Sequence, residues 1–198
     1  LYYGKPSPYN VAQEIYIDMI PVTDYITSGV WQIILNPTRV VEGQYDLWLP
    51  SENVLNRGTG FLYPDEEVTL TIPSTADKVI SVGAYDALTF SYASFSGRGY
   101  TWQDERTKPD LVAPGVNVRT TAVGGGVTVV SGTSFATPFV TGASALLMEW
   151  GIVRGNDPFL YGEKVKAYLR RGARELPGFG KYPNREVGYG EDVIIRLH

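Results

Sequence analysis

The sequence predicts an all-β sandwich over residues 1–72 and an α/β unit, with a parallel sheet around a buried central helix, over residues 73–198. Three observations predict this. Short apolar runs in the first part alternate with polar positions and carry no helical period. From Pro73 onward, strand-like runs alternate with helical spacing. The 22 glycines and 13 prolines exceed average usage and punctuate both parts with turns.

In the first part, Ile15, Ile17 and Met19 alternate with more polar neighbours. A second strand is expected at residues 30–35, between Gly29 and Asn36-Pro37, and a third at residues 44–49, between Gly43 and Pro50. A fourth sets Val68, Leu70 and Ile72 on one face against Thr69 and Thr71 on the other. Four strands are few for a closed sandwich, and residue 1 is Leu rather than Met. The expectation is therefore either a strand or two without a clear signal, or a β-unit cut short at its N-terminal side.

In the second part, residues 78–84 read as a buried strand and residues 110–113 as another, stopped by Pro114-Gly115. Residues 127–130 form a third apolar run after Gly124-Gly125-Gly126, which lacks the Lys-Ser/Thr of a phosphate loop and reads as a hairpin tip or cleft edge. A helix is expected from Ser134 to Trp150, with Gly151 just past its end. The small residues Thr141-Gly142-Ala143-Ser144-Ala145 in its middle predict burial on nearly every face. A second helix over residues 163–171 places Val165, Tyr168 and Leu169 together and ends at Gly172, with Arg170 and Arg171 suited to its C-terminal dipole.

Composition excludes several classes of function. A net charge of −4 without a basic run argues against nucleic acid. No uninterrupted apolar run reaches the ~20 residues of a membrane span, and no charged segment leads into an apolar signal core at the start. There are no cysteines, which removes disulfides and thiolate chemistry. The one histidine is His198, the last residue, where fraying is the default. No metal site or cofactor is expected: the acidic clusters Asp65-Glu66-Glu67 and Asp104-Glu105 read as solvated turns.

The chemistry-bearing segment is Ser131-Gly132-Thr133-Ser134-Phe135-Ala136-Thr137-Pro138. A strand feeds a glycine turn, and Ser134 then stands at a helix N-terminus. Free N–H groups and the positive dipole end there favour a developing oxyanion. The plainer alternative is a serine N-cap without catalysis.

With its flanks Val140, Gly142 and Ala145-Leu146-Leu147, this segment resembles the nucleophile motif of the subtilisin-like serine proteases. Two further blocks occur in that family's order. The first joins Val79-Ile80-Ser81-Val82-Gly83-Ala84 to Ala93-Ser94-Phe95-Ser96-Gly97-Arg98-Gly99, and the second is Lys108-Pro109-Asp110-Leu111-Val112-Ala113-Pro114-Gly115-Val116. The resemblance implies a subtilisin-like fold, peptide-bond hydrolysis without a cofactor, and Ser134 as nucleophile in an Asp, His, Ser triad. It also implies oxyanion support from an Asn, with Thr133 assisting from the side.

The Asp, His and Asn motifs precede these blocks in the family, and upstream of Pro73 the chain has no histidine. They are expected on an N-terminal catalytic segment of the same protein. The chain reads as a C-terminal fragment, inactive alone because an unassisted serine hydroxyl is a poor nucleophile. A protein or peptide is the expected substrate, with neither nucleic acid nor membrane as partner. The β-rich start, Leu147-Met148-Glu149-Trp150-Gly151 and the tail around residues 182–190 are similar to clostridial germination proteases of the Csp type, whose jelly-roll insertion residues 1–72 would end. That resemblance implies a secreted, spore-associated or cell-envelope location. Phe139 stands where the family commonly has a His outside the triad.

Three alternatives remain at this level. A pseudoprotease or scaffold member of the family would keep Ser134 and lack its partners. An α/β-hydrolase would use Ser134 with Asp157 or Asp192 and His198, although Gly132-Thr133-Ser134-Phe135-Ala136 misses the G-x-S-x-G elbow by one residue. A binding module would stack Trp48 on a sugar or partner, against the expectation that Trp48 packs on the α/β half.

Overall fold

A computed structural model gives the structure of the chain and describes residues 1–5, 13–40, 43–50, 54–100 and 106–192. The chain divides into two compact units, Leu1–Pro64 and Asp65–His198.

In the first unit, β1 (Tyr2–Tyr3) pairs antiparallel with β2 (Ile15–Tyr16), and the Gly4 N–H donates to Glu14 O at 2.8 Å. The other expected strands do not form among the described residues: 30–35 and 44–49 have no ladder partner. Alternation stabilises a strand only where a neighbour supplies hydrogen bonds and covers the apolar face. Here that face is open, with Trp31, Ile34 and Leu47 exposed. Trp48 is among the exposed aromatic side chains.

The second unit carries the core. β3 (Val82–Asp86) and β7 (Leu111–Pro114) run parallel, with Val82 opposite Leu111 and Tyr85 opposite Pro114. β4 (Ser91–Tyr92) returns antiparallel on β3 at Tyr85 and Asp86, and residues 190–192 continue the sheet beyond β7. β5 (Gly99–Tyr100) and β6 (Thr107–Lys108) form one small ladder. β8 (Val118–Thr121) and β9 (Val127–Val130) form a separate hairpin, with the three glycines at its tip. The apolar run at 127–130 thus belongs to an antiparallel hairpin outside the parallel sheet.

Two boundaries shift from the sequence expectation. The strand expected at 78–84 begins only at Val82, because the Ser81 N–H is taken by Asp110 Oδ2 at 2.7 Å. Residues 68–72 form no strand. Instead, the Thr69 N–H donates to Arg98 O at 3.0 Å, and Ile72 is exposed.

Alternation along β7 builds two layers. Leu111 and Ala113 face α1 (Thr133–Met148) and α2 (Gly162–Gly172), packing with Ala136, Val140, Ala143, Val165 and Leu169. Val112 faces the other way, onto Leu176, Val187 and Tyr85. Both faces of β7 are covered, as a parallel strand requires. The buried stripe on α1, Ala136–Val140–Ala143, follows helical spacing, and its small residues admit close approach to the sheet.

The opposite side of α1 is open: Pro138, Thr141, Gly142, Ala145 and Leu146 are exposed. The helix expected to be buried all round is covered on one face only, because these residues meet no packing element in the described chain. Its end also differs. α1 passes into a π-turn, Glu149–Val153, and Gly151 is buried within that turn rather than lying past it. Thr133–Val153, 21 residues, is long and apolar enough by length and composition to cross a membrane. The sequence reading missed this because Thr, Ser and Gly interrupt the apolar run, yet its inner face packs on the sheet.

At one end of the sheet, Asp110 is fully buried among three cations. Its Oδ2 lies 3.2 Å from both Lys108 Nζ and Lys166 Nζ, and Oδ1 accepts from Arg170 Nη2. Arg170 therefore serves a buried carboxylate and stacks on Tyr189, a more specific role than the helix dipole. The lysines also donate to backbone carbonyls, both of them to Val79 O. Burial alone would raise the Asp110 carboxyl, but the Ser81 N–H, Arg170 and Lys108 outweigh it and hold Asp110 below its ordinary value. Burial pushes the Lys166 ammonium down to about 8, with Asp110 opposing and Lys108 and Arg170 reinforcing.

Two predictions follow from this cluster. Asp110→Ala leaves three cations around an empty centre and should cost about 3–5 kcal/mol in urea unfolding. The unfolded Lys166 binds its proton up to about pH 10.5, while the folded one releases it near 8. Unfolding free energy should therefore rise with pH through that window, and Lys166→Met should flatten the rise.

Candidate active site

Ser134 is the second residue of α1 and is exposed. The residue before the helix is Gly132, with φ 152° and ψ 156°, a conformation that residues with a Cβ rarely adopt. No side chain caps the helix, so Ser134 is not an N-cap. Its Oγ has no hydrogen-bond partner among the described residues. The Phe135 and Ala136 N–H groups both turn back to Gly132 O, at 3.0 and 3.4 Å. The Thr133 and Ser134 N–H groups precede this first closed turn, where a helix has no internal acceptor. Ser134 thus combines an unengaged hydroxyl with the donor-rich, positive end of a helix.

A chain of main-chain bonds holds this helix start to the sheet. The Gly115 N–H donates to Tyr85 O at 3.0 Å, and the Gly132 N–H donates to Gly115 O at 2.8 Å. Beside them, the Asn117 N–H donates to Ser131 Oγ at 2.9 Å. Gly115 sits in the crevice between β3 and α1. A Cβ there would stand 2.5 Å from Ala84 Cβ, 3.1 Å from Gly132 O and 3.3 Å from Ala136 Cβ. The sequence marked Pro114-Gly115 only as a strand stop; its contact with the serine turn needs the fold to be seen.

The remaining candidates separate. Thr133 lies beside Ser134, and its carbonyl accepts the Thr137 hydroxyl at 2.9 Å. Phe139 lines a groove of about 280 Å³ with Asp86, Leu88, Val116 and Arg119. Asp157 pairs with Lys164 at 2.6 Å, and the Asp192 N–H donates to Val112 O at 3.1 Å. The structure brings neither carboxylate to Ser134, so the hydrolase arrangement loses its geometry. His198 and the Asp104-Glu105 pair lie outside the described residues. Glu66 and Glu67 are paired with the Arg98 guanidinium, at 2.8 and 3.5 Å. Among the described residues, no group of three or more His, Cys, Asp or Glu could hold a metal ion.

A strand–glycine–serine–helix passage pinned to a parallel α/β sheet is the setting of a serine hydrolase nucleophile, and comparison with known proteins names the class. Residues 62–190 match the profile of the subtilase family, and the chain belongs to that family. Among curated relatives, the mouse membrane-bound transcription factor site-1 protease is 37% identical over 135 residues, 66% of this chain and 12% of that protein. The serine protease AprX of Bacillus subtilis is 34% identical over 129 residues, 55% of this chain and 27% of that protein.

Among solved structures, the CspB protease of Clostridium perfringens is 49% identical with a TM-score of 0.67, covering 71% of this chain and 30% of that one. The resemblance to clostridial proteases thus has a structural counterpart, and the fold is α/β subtilisin-like. The chain spans a minor part of each relative's length. Relatives include proteins named as membrane-bound and as intracellular, so the family sets no compartment.

The contact at Gly115 makes a direct prediction. Gly115→Ala should overpack the crevice and cost about 1–3 kcal/mol in thermal or denaturant unfolding. The same added methyl should displace the start of α1, read as faster amide exchange at Gly132 and Phe135.

Proposed function

We propose that the chain is the nucleophile-bearing portion of a subtilisin-like serine endopeptidase. The observation that carries this reading is Ser134: exposed, without a hydrogen-bond partner at Oγ among the described residues, and held at a helix N-terminus by the Tyr85–Gly115–Gly132 relay. In the reaction, Ser134 Oγ would lose its proton to a histidine base and attack the scissile carbonyl carbon. The carbonyl oxygen becomes the oxyanion, stabilised by the Ser134 N–H with Thr133 beside it. The acyl-enzyme forms as the protonated histidine returns its proton to the leaving amine, and water then releases the acid product.

The histidine, its orienting aspartate and the oxyanion asparagine would come from an N-terminal segment of the same protein. One feature supports such a segment: the outer face of α1 stands exposed at Pro138, Gly142, Ala145 and Leu146. Residues 73–198 would then form the end of the catalytic domain. Residues 1–72 would form the end of a jelly-roll-like insertion, whose other strands would supply the ladders that residues 30–35 and 44–49 lack among the described residues. The family profile matches residues 62–190, and the first 61 residues lie outside that match, which supports reading them as an insertion.

The proposed substrate is protein or peptide, and the proposed location, secreted or spore- or envelope-associated, rests on the Csp-type resemblance. Fractionation of cells with an antibody to the chain tests the location.

The test of function is reaction of the full-length protein with a fluorophosphonate, read by intact mass and peptide mapping. An adduct on Ser134 is expected, with none on the 198-residue chain alone. Ser134→Ala should remove the adduct and lower kcat for peptide hydrolysis by on the order of 10⁶-fold. A full-length wild-type protein that takes no adduct and cleaves no peptide would identify a pseudoprotease instead.

A further inference from the structure

Ser131 is the residue that joins β9 to Gly132, and its side chain is where the serine turn meets its neighbour. Its Oγ accepts the Asn117 N–H at 2.9 Å, while one residue on the Gly132 N–H donates to Gly115 O at 2.8 Å. The two bonds form adjacent rungs between the turn at residues 115–117 and the turn that presents Ser134. The main-chain rung would form with any residue at 132 that tolerated the backbone. The hydroxyl rung depends on a side-chain acceptor at 131.

Asn117 has φ +52°, in the left-handed region that asparagine enters more readily than most residues with a Cβ, and its N–H closes the base of the β8–β9 hairpin on Ser131 Oγ. The rung is exposed and adds little to global stability, so its effect is local. Ser134 is the third residue after Ser131, within the span over which a small shift of the helix start moves Oγ. We infer that Ser131 is a positioning residue for Ser134, fixing the start of α1 through Asn117 without touching substrate. The inference rests on the reading of Ser134 as nucleophile.

The test uses the full-length protein with Ser131→Ala and Ser131→Thr, the latter keeping the hydroxyl acceptor. Ser131→Ala should speed amide exchange at Gly132 and Phe135 by about tenfold. It should lower kcat and the rate of fluorophosphonate adduct formation by about tenfold, with KM within twofold of wild type and the melting temperature little changed. Ser131→Thr should restore all of these.

Faster exchange with unchanged kcat would show a merely structural bond and overturn the positioning role, as would unchanged exchange or an equal loss in Ser131→Thr. A wild-type protein that takes no adduct overturns the role together with the nucleophile reading. That outcome is distinct from failure of the clamp alone, in which wild type and both variants label at one rate.

Discussion

The position of Ser134 depends on one close approach, the seating of Gly115 between β3 and α1. At that point β3 is bonded to Gly115 and Gly115 is bonded to Gly132, so three segments distant in sequence share one crevice. The crevice is narrow because both flanks are alanine, Ala84 on the strand and Ala136 on the helix. Small residues here exchange hydrophobic area for proximity. A larger pair would bury more surface but would lift the helix start off the sheet, and the serine with it. Packed interiors resist such displacement because they have little free volume to absorb it.

The Asp110 cluster does a different task at the other helix. Lys166 and Arg170 are one turn apart on α2, and both reach the carboxylate that also binds the Ser81 N–H ahead of β3. α2 is thereby registered against the first residues of the sheet by directed bonds as well as by Val165 and Leu169. Three cations against one carboxylate leave excess buried positive charge, and the Lys166 ammonium bears that cost through burial, since the backbone carbonyls of Asp77 and Val79 compensate it only in part. Apolar packing of equal volume would avoid the desolvation but would not distinguish one register of α2 from the next.

A contrast between two sides runs through the second unit. β7 is covered on both faces and its ladder continues at residues 190–192, whereas α1 is covered on one face and exposes an apolar, small-residue surface on the other. The nucleophile candidate lies at the boundary between the covered and uncovered sides. That placement accords with a site completed by groups from another part of the protein.

The sequence by itself determined the elements whose signals are local. The glycine turn before Ser134, the helix behind it, the apolar strand at residues 111–113 and the helix ending at Gly172 were all legible, because periodicity, small residues and turn chemistry act over a few neighbours. The ordered blocks from Val79 to Leu147 placed the family for the same reason.

Tertiary structure decided the rest. The run at residues 127–130 became a hairpin strand, residues 30–35 and 44–49 stayed unpaired among the described residues, and α1 was buried on one side only. Each depends on whether a partner surface is present, which alternation cannot report. Gly115 and Asp110 owe their roles to atoms that are distant in sequence and meet only when β3, β7 and the two helices are assembled, whereas Ser131 meets Asn117 at the base of the β8–β9 hairpin.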